Sequence, residues 1–559
     1  MADISKIYVP SEGNPNSKLW IVGEAPGFRE EQERRPFVGD SGKLLESVLN
    51  RHGGLRSDLF FTNLCHYRPP GNKFQALLGS SQLNEGLEEL DELLQTHRPN
   101  LICGVGSFPL SYLAGVEGIT QHRGSILSGK LGIKTICTYH PAFVLRNRSA
   151  YPIFDVDISR VISDSKFPEL NYLERDIYIA PNTKVHTIGL SNTRESQPFD
   201  YDYWLNLILN STHVSCDIES VKGTTEILCV GFGLSPTIGV VIPHDDSFAH
   251  RNFIQTILSS NVSKVFHFGT YDVPVLRNNG YEVNHYDEDT IIQAHVLAPE
   301  LPRDLGYLVS VETREPYFKQ EGKKNIPGDI KAWSKRRDKE DLYAYNGKDI
   351  CTTIEIFHKQ RDYLTESGQL EYYQYRMALQ NEVALPLSNN GFAFDQERCD
   401  YIADFVRKDR AKYIIFLNTL VGHPVNSASP KQLCKLFYDE LKLPVKKKTN
   451  RKTGKISQTS DEDATVSLIG YCLNHISKLK TDRVKDEWVR KLHILKLTLK
   501  LKGYDKLDSS YFKVTLHNGR MKSLYKVPGT ETGRLSMSKY VDGSGLNIST
   551  IPREAIEIG

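Results

Sequence analysis

The sequence predicts a multidomain α/β protein whose last third is mostly helical and basic. Three observations carry that prediction. At 559 residues the chain is too long for one core, because single hydrophobic cores stop growing near ~250–300 residues. Through the first two thirds, short apolar runs alternate with amphipathic stretches, the pattern of strands layered with helices. The charge is also uneven: residues 401–530 carry 27 Lys/Arg against 12 Asp/Glu, net +15, while the remainder holds 43 against 56, net −13. A basic segment on an otherwise acidic chain points to a polyanion-binding surface.

The elements follow in order. KLWIVGE (18–24) reads as a strand, SGKLLESVLNRH as an amphipathic helix and LFFTNLC as a second strand. NEGLEELDELLQTH then reads as a helix and NLICGVG as a third strand. A polar stretch, NTKVHTIGLSNTRESQPFD, leads into HVSCDIES, EILCVGFGL and TIGVVIPHDD, which predict three consecutive strands in an antiparallel meander. Helical segments follow, ending in KEDLYAYNGKDICTTIEIFHKQRDYL. From about residue 370 the pattern turns helical, with a charged loop, KKKTNRKTGKISQTSDED. The expected domains span residues 1–168, 169–365 and 366–559.

Composition excludes several classes. The 39% apolar and 25% charged content is that of a folded globular protein. No apolar run approaches the ~18 residues of a transmembrane helix, and MADISKIYVP lacks a signal-peptide core. An intracellular, cytoplasmic protein is expected. None of the nine cysteines forms a C-x-x-C pair, so buried thiols are expected rather than disulfides or zinc ligands.

The middle region carries the best-defined chemistry. Asp217 and Glu219 lie two apart in a strand, so both carboxylates project from one face, opposite Cys216 and Ile218. Asp272 follows inside KVFHFGTYDVPVL, and Tyr345 and Asp349 stand four apart on one helical face. In this order the set resembles the DnaQ-like 3′-5′ exonucleases of family A DNA polymerases, over about residues 185–362. The resemblance implies an RNase H-like domain in which Asp217, Glu219, Asp272 and Asp349 hold two Mg²⁺ or Mn²⁺ ions and Tyr345 orients the attacking water. Hard divalent cations take oxygen ligands, which carboxylates supply together with compensating charge. Asp289 falls where that family begins its next helix. Where the family places Asn, four residues before Asp272, this chain has Phe268 beside His267, which puts a supporting hydrogen bond in doubt.

The first region has a second set: GEAPG (23–27), Arg35-Pro-Phe-Val-Gly39, Ser41-Gly-Lys-Leu-Leu45, Thr62-Asn63, Arg68-Pro-Pro-Gly-Asn72 and Thr138-Tyr-His-Pro-Ala142. These resemble the family 4 uracil-DNA glycosylases and imply an α/β/α domain. In that family a base is flipped from the duplex, stacked on a ring and read on its edge. By carry-over Phe37 stacks the base, Asn63 bonds its edge, His140 stabilises charge on the pyrimidine and Glu24 lies beside the sugar. Ala142 stands where the family has serine, and no cysteine precedes Cys65, so the family's iron–sulfur cluster is not expected.

The last region resembles the palm entry and thumb of family A polymerases. The matching segments are Glu382…Asp395, Asn426-Ser-Ala-Ser-Pro-Lys-Gln-Leu433, Thr532-Gly-Arg-Leu-Ser536 and Leu546-Asn-Ile-Ser-Thr-Ile-Pro552. By carry-over Arg534 reaches primer–template DNA, and Lys446, Lys447 and Lys448 contact backbone phosphates. The palm's catalytic aspartates are expected beyond Pro552, so this chain is expected to be the amino-terminal part of a viral or phage replicative polymerase. Its expected activity is proofreading, on single-stranded 3′ ends and primer–template duplex, with a separate carboxy-terminal polypeptide as a possible partner. Two alternatives stand beside this: a non-catalytic DNA-binding half of a split polymerase, and a uracil-directed repair enzyme.

Overall fold

A computed structural model describes residues 6–221, 223–320, 326–327, 330–336, 339–449, 456–479 and 482–550. Residues 551–559, which include the Ile551-Pro552 end of the last polymerase-like segment, lie outside the described residues. The chain divides into two compact units: residues 1–385 with 526–536, and residues 386–525 with 537–559. Among the described residues, no helix is long and apolar enough to cross a membrane.

The first unit holds two sheets. The amino-terminal one contains β1 (Glu12–Gly13), β2 (Leu19–Gly23), β3 (Phe60–Asn63), β4 (Leu101–Val105), β5 (Leu127–Ser128) and β6 (Lys134–Thr138), in the order β1-β3-β2-β4-β6-β5. Strands β3, β2, β4 and β6 run parallel. β2, β3 and β4 are buried along their whole length, as expected of a parallel sheet covered on both faces. The covering helices include α2 (Asp40–Arg51), α3 (Ser81–His97), α4 (Ser107–Ala114), α6 (Pro141–Arg146) and α7 (Tyr151–Asp164). The predicted strand–helix–strand–helix–strand sequence of this region is therefore present.

The second sheet has eight strands, ordered β14-β13-β10-β11-β12-β7-β8-β9. At its centre β10 (His213–Ser220), β11 (Ile227–Ser235) and β12 (Ile238–Pro243) form the predicted antiparallel meander. β13 (Ser263–Phe266) and β14 (Tyr286–Asp289) continue it in parallel. The polar stretch 182–200 does more than connect: β7 (Glu174–Ile179), β8 (Thr183–Ile188) and β9 (Ser191–Ser196) extend the sheet as a meander. β9 is exposed at every residue, so it had no alternation to betray it.

The long helix Lys339–Glu366 crosses the central strands, and close approach is built into it. A Cβ at Gly347 would collide with Ile177 Cγ2, and one at Gly231 with the side chain of Asn346. Residues 526–536 return to this unit, where Arg303 Nη2 donates to Pro528 O at 3.2 Å and Arg376 Nη2 to Val527 O at 2.7 Å. The second unit is mainly helical, built on Gln396–Val421, Glu462–Ile476 and Asp482–Ser510 around a core that includes Leu433, Phe437, Leu468 and Leu495.

Candidate active sites

Strand β10 delivers Asp217 and Glu219, and helix 339–366 delivers Tyr345 and Asp349. Ligand-capable atoms of Asp217, Glu219 and Asp349 lie within 4.8 Å of one another, the only such acidic or metal-ligating cluster among the described residues. Glu219 and Asp349 are 7% and 3% exposed, so this is a buried concentration of negative charge. Burial first, and the Asp349 carboxylate second, push Asp217 up to about 7. Glu219 is held well above the usual carboxylate range by burial and then by Asp217 and Asp349. Carboxylates that raise one another this way need a cation if all are to ionise.

Asp272 does not join the three. It sits in the first turn of α10 (Gly269–Asn278), buried, and burial and then Asp217 raise its pKa well above the usual range. The Tyr345 hydroxyl hydrogen-bonds Asp349, and burial holds its pKa far above that of a free phenol, so it stays protonated.

Asn346 and Lys319 were not singled out from sequence, whereas Asp289 and Phe268 were. Asn346 Nδ2 donates to Asp217 Oδ2 at 2.7 Å, fixing that carboxylate. Lys319 donates to Asp349 Oδ1 and, at 3.2 Å, to Tyr345 Oη. Asp289, fully buried at the start of helix α11 (Thr290–Leu297), accepts from the backbone N–H groups of Phe268 at 3.1 Å and Gly269 at 2.9 Å, and from Tyr286 Oη. Phe268 adopts a left-handed conformation, φ 70° and ψ 43°. Asn visits that region more readily than Phe. Here a hydrogen bond from the residue's own backbone N–H to Asp289 holds the corner, so the substitution removes a side chain without releasing the turn that presents Asp272.

In the amino-terminal domain the four expected pocket residues gather at the carboxyl ends of the parallel strands, where open α/β sheets bind ligands. Glu24 follows β2, Asn63 ends β3, and His140 follows β6 as the cap of α6. The Glu24 carboxylate accepts from the N–H groups of Ser107 and Phe108 at the start of α4, yet burial dominates and lifts its pKa to about 7. A Cβ on Gly23 would collide with Asn63 Oδ1 and stand 2.7 Å from Phe37 Cζ, so both side chains converge on the end of β2. Phe37 has φ 56° and is 6% exposed. Its loop is held by Arg56, whose Nη2 donates to Pro36 O at 2.7 Å and whose guanidinium also meets Glu12 at 2.8 Å.

His140 Nδ1 accepts from Ala142 N at 3.1 Å, which leaves Nε2 as the protonated nitrogen of a neutral ring. Burial, then Arg146, lowers its pKa to about 4. The cysteines present do not fit a four-thiolate iron–sulfur site. Cys103 and Cys137 are fully buried in β4 and β6, and Cys65 is buried with its sulfur toward Tyr67 O and Gln82 O. Residues near Cys65 instead clasp the amino-terminal segment, through Tyr8 Oη to Glu89 at 3.0 Å and His66 Nδ1 to Val9 O at 2.9 Å.

The expected DNA contacts are on the surface. Lys447 and Lys448 lie on the exposed strand Lys447–Thr449, with Lys448 Nζ 2.6 Å from Asp461 Oδ2. Lys446 is half-buried before it, and Arg534 is exposed in the 530–534 turn.

Family models match the two regions that carry these sites. Residues 10–162 match the family model described as the uracil DNA glycosylase superfamily, and residues 195–365 that described as 3′-5′ exonuclease. The type-4 uracil-DNA glycosylase of Saccharolobus solfataricus is 36% identical over 166 residues, 27% of this chain and 74% of that protein. That of Thermotoga maritima is 35% identical over 145 residues, 25% and 73% of the two chains. DNA polymerase I of Bacillus subtilis is 23% identical over 324 residues, 55% of this chain but only 32% of that protein. Among solved structures, the POL domain of Pol1 from M. smegmatis in complex with DNA primer-template and dNTP aligns with TM-score 0.44 and 15% identity, covering 65% of this chain and 56% of that one.

Proposed function

Because the chain belongs through its amino-terminal domain to the uracil-DNA glycosylase superfamily and carries a 3′-5′ exonuclease domain related to that of DNA polymerase I, we propose that it is a proofreading exonuclease of a replicative polymerase. In this reading it removes nucleotides from single-stranded 3′ ends and grips DNA with its basic helical region. The observation that carries it is the convergence of Asp217, Glu219 and Asp349 within 4.8 Å. The donor set fits the family's divalent metals: three carboxylates offering only oxygen, two of them buried and the third partly so.

In this reading Asp217, Glu219 and Asp349 hold Mg²⁺ or Mn²⁺, with Asp272 serving a second ion from its place beside Asp217. Bound there, the metals supply an activated water and stabilise the leaving 3′ oxygen. Asn346 keeps Asp217 turned toward the cluster. The Tyr345 hydroxyl, protonated and tied to Asp349, orients the attacking water. Asp289 holds the corner that carries Asp272. Lys446, Lys447, Lys448 and Arg534 are assigned to backbone phosphates, a contact type that gives salt-dependent, sequence-neutral affinity.

The amino-terminal domain is proposed to read a flipped base: Phe37 stacks it, Asn63 bonds its edge, and neutral His140 offers Nε2–H to a pyrimidine carbonyl beside Glu24. Reading is favoured over excision because the position after His-Pro is Ala142, whose only polar contribution is a backbone N–H spent on His140.

A 3′-end degradation assay with Mg²⁺ and EDTA arms, on ordinary and uracil-containing strands, tests both halves. Shortening in Mg²⁺ that EDTA stops is expected, with no alkali-labile sites at uracil. Metal-independent shortening, or none, sinks the exonuclease reading, and alkali-labile sites replace the reader with an excising enzyme.

A further inference from the structure

Lys319 reaches the exonuclease carboxylates from outside every motif. Its ammonium donates to Asp349 Oδ1 and lies 3.2 Å from Tyr345 Oη, with its side chain 17% exposed. It is also the foremost positive charge acting on Asp349, and it acts on Asp217 and Glu219. The segment that presents it is anchored at several points. Arg160, on α7 of the amino-terminal domain, donates to Ser310 O and Thr313 O. Arg314 donates to Asp164 Oδ1 and Leu170 O, both at 2.8 Å. Glu315, 1% exposed, meets Arg175 at 3.2 Å and Lys348 at 3.5 Å. Phe318, also 1% exposed, packs its ring 5.7 Å from that of Tyr345. An ammonium on a segment so held is in a set position.

We propose that Lys319 is a positioning residue of the exonuclease site: it is the resident cation on Asp349, gives up that oxygen when a divalent ion binds, and stays on Tyr345 Oη. The ammonium occupies a lone pair of the Asp349 oxygen and its charge repels an incoming divalent cation, so the lysine competes with the metal. Donation to Tyr345 Oη occupies one lone pair of the phenol, whose O–H is spent on Asp349, and leaves the remaining lone pair to accept from the water. The same anchoring gives the amino-terminal domain a part in the exonuclease, since α7 fixes the root of this segment. The inference rests on the exonuclease reading above.

The test uses the full chain as parent, Lys319→Gln, Lys319→Met and Lys319→Arg. Mn²⁺ binding is read by electron paramagnetic resonance, and hydrolysis of a single-stranded 3′ end at saturating Mn²⁺. Both neutral variants are expected to bind Mn²⁺ at least threefold tighter, yet to lose at least tenfold in kcat with KM within threefold. Lys319→Arg is expected to keep kcat above both. Mn²⁺ affinity equal to or weaker than the parent's in both neutral variants overturns the proposal, as does an unchanged kcat. Should the parent bind Mn²⁺ but hydrolyse nothing, the exonuclease reading fails, and the affinity comparison alone decides the lysine's place.

Discussion

Replacing Gly23 by alanine should close the base pocket while leaving the domain folded. The new Cβ would collide with Asn63 Oδ1 and stand 2.7 Å from Phe37 Cζ. Carbon atoms rest at ~3.5–4.0 Å, so the Phe37 ring must retreat by roughly 1 Å, and Asn63 must swing aside. Both obstacles are ends of side chains, so the fold can accommodate them, but only by withdrawing the two groups assigned to the base. Overpacking of this kind costs ~1–3 kcal/mol, and if that strain falls on the bound state it weakens binding by roughly 5- to 150-fold.

The assay is fluorescence anisotropy of a uracil-containing oligonucleotide against its thymine counterpart. Gly23→Ala is expected to erase the preference for uracil, with the unfolding midpoint shifted by only a few degrees. Gly42→Ala is the contrast: its Cβ would collide with the backbone carbonyl of Phe37, which cannot step aside, so it is expected to unfold the domain. Full uracil preference in Gly23→Ala would refute the placement of the base between Phe37 and Asn63.

Other predictions follow from the same geometry. Asp157→Ala should destabilise the amino-terminal domain by ~3–5 kcal/mol, read by denaturant unfolding, because it strands Arg123 (2.9 Å from Asp157) and Thr138 (2.7 Å from it) in the interior; Arg123→Leu with Asp157→Leu should recover most of that loss. Gly347→Ala should press helix 339–366 off Ile177 and lower exonuclease rate more than stability, because Tyr345 and Asp349 flank that glycine; equal rates would contradict it. His140, lowered to about 4 when folded against an ordinary value of 6.5, binds fewer protons folded than unfolded between those values. Its contribution is therefore complete above pH 6.5 and is lost as pH falls toward 4. His140→Gln should flatten the parent's acid-side loss of stability in that window, as followed by thermal unfolding at pH 4 to 8.

Much of this was legible in the sequence because local pattern and chemistry coincide there. The alternating strands and helices of residues 18–105 appear where their apolar runs are continuous, since parallel strands buried on both faces show exactly that signature in LWIVG and LICGV. Period-two spacing put Asp217 and Glu219 on one face and helical spacing paired Tyr345 with Asp349, but it was the resemblance of the ordered set to the exonuclease motifs that marked them as site residues. What escaped notice lacks local signal. Residues 191–196 form an edge strand with no buried face. Lys319 sits in no motif, and only the fold brings it to Asp349. Asp272 matched by order along the chain, yet its helix holds it outside the three-carboxylate cluster, a distance no sequence spacing encodes. Phe268 was singled out for the side chain it lacks, but the backbone N–H to Asp289 that sustains its corner leaves no mark in the sequence.

The central claim is that Asp217, Glu219 and Asp349 make a metal-dependent 3′ exonuclease. Its most direct test is a 5′-labelled single strand incubated in Mg²⁺ with the parent chain and with Asp217→Ala combined with Glu219→Ala. The account predicts a ladder shortening from the 3′ end for the parent, and an intact strand for the double variant with its folding unchanged. A ladder of equal rate from the double variant would contradict it.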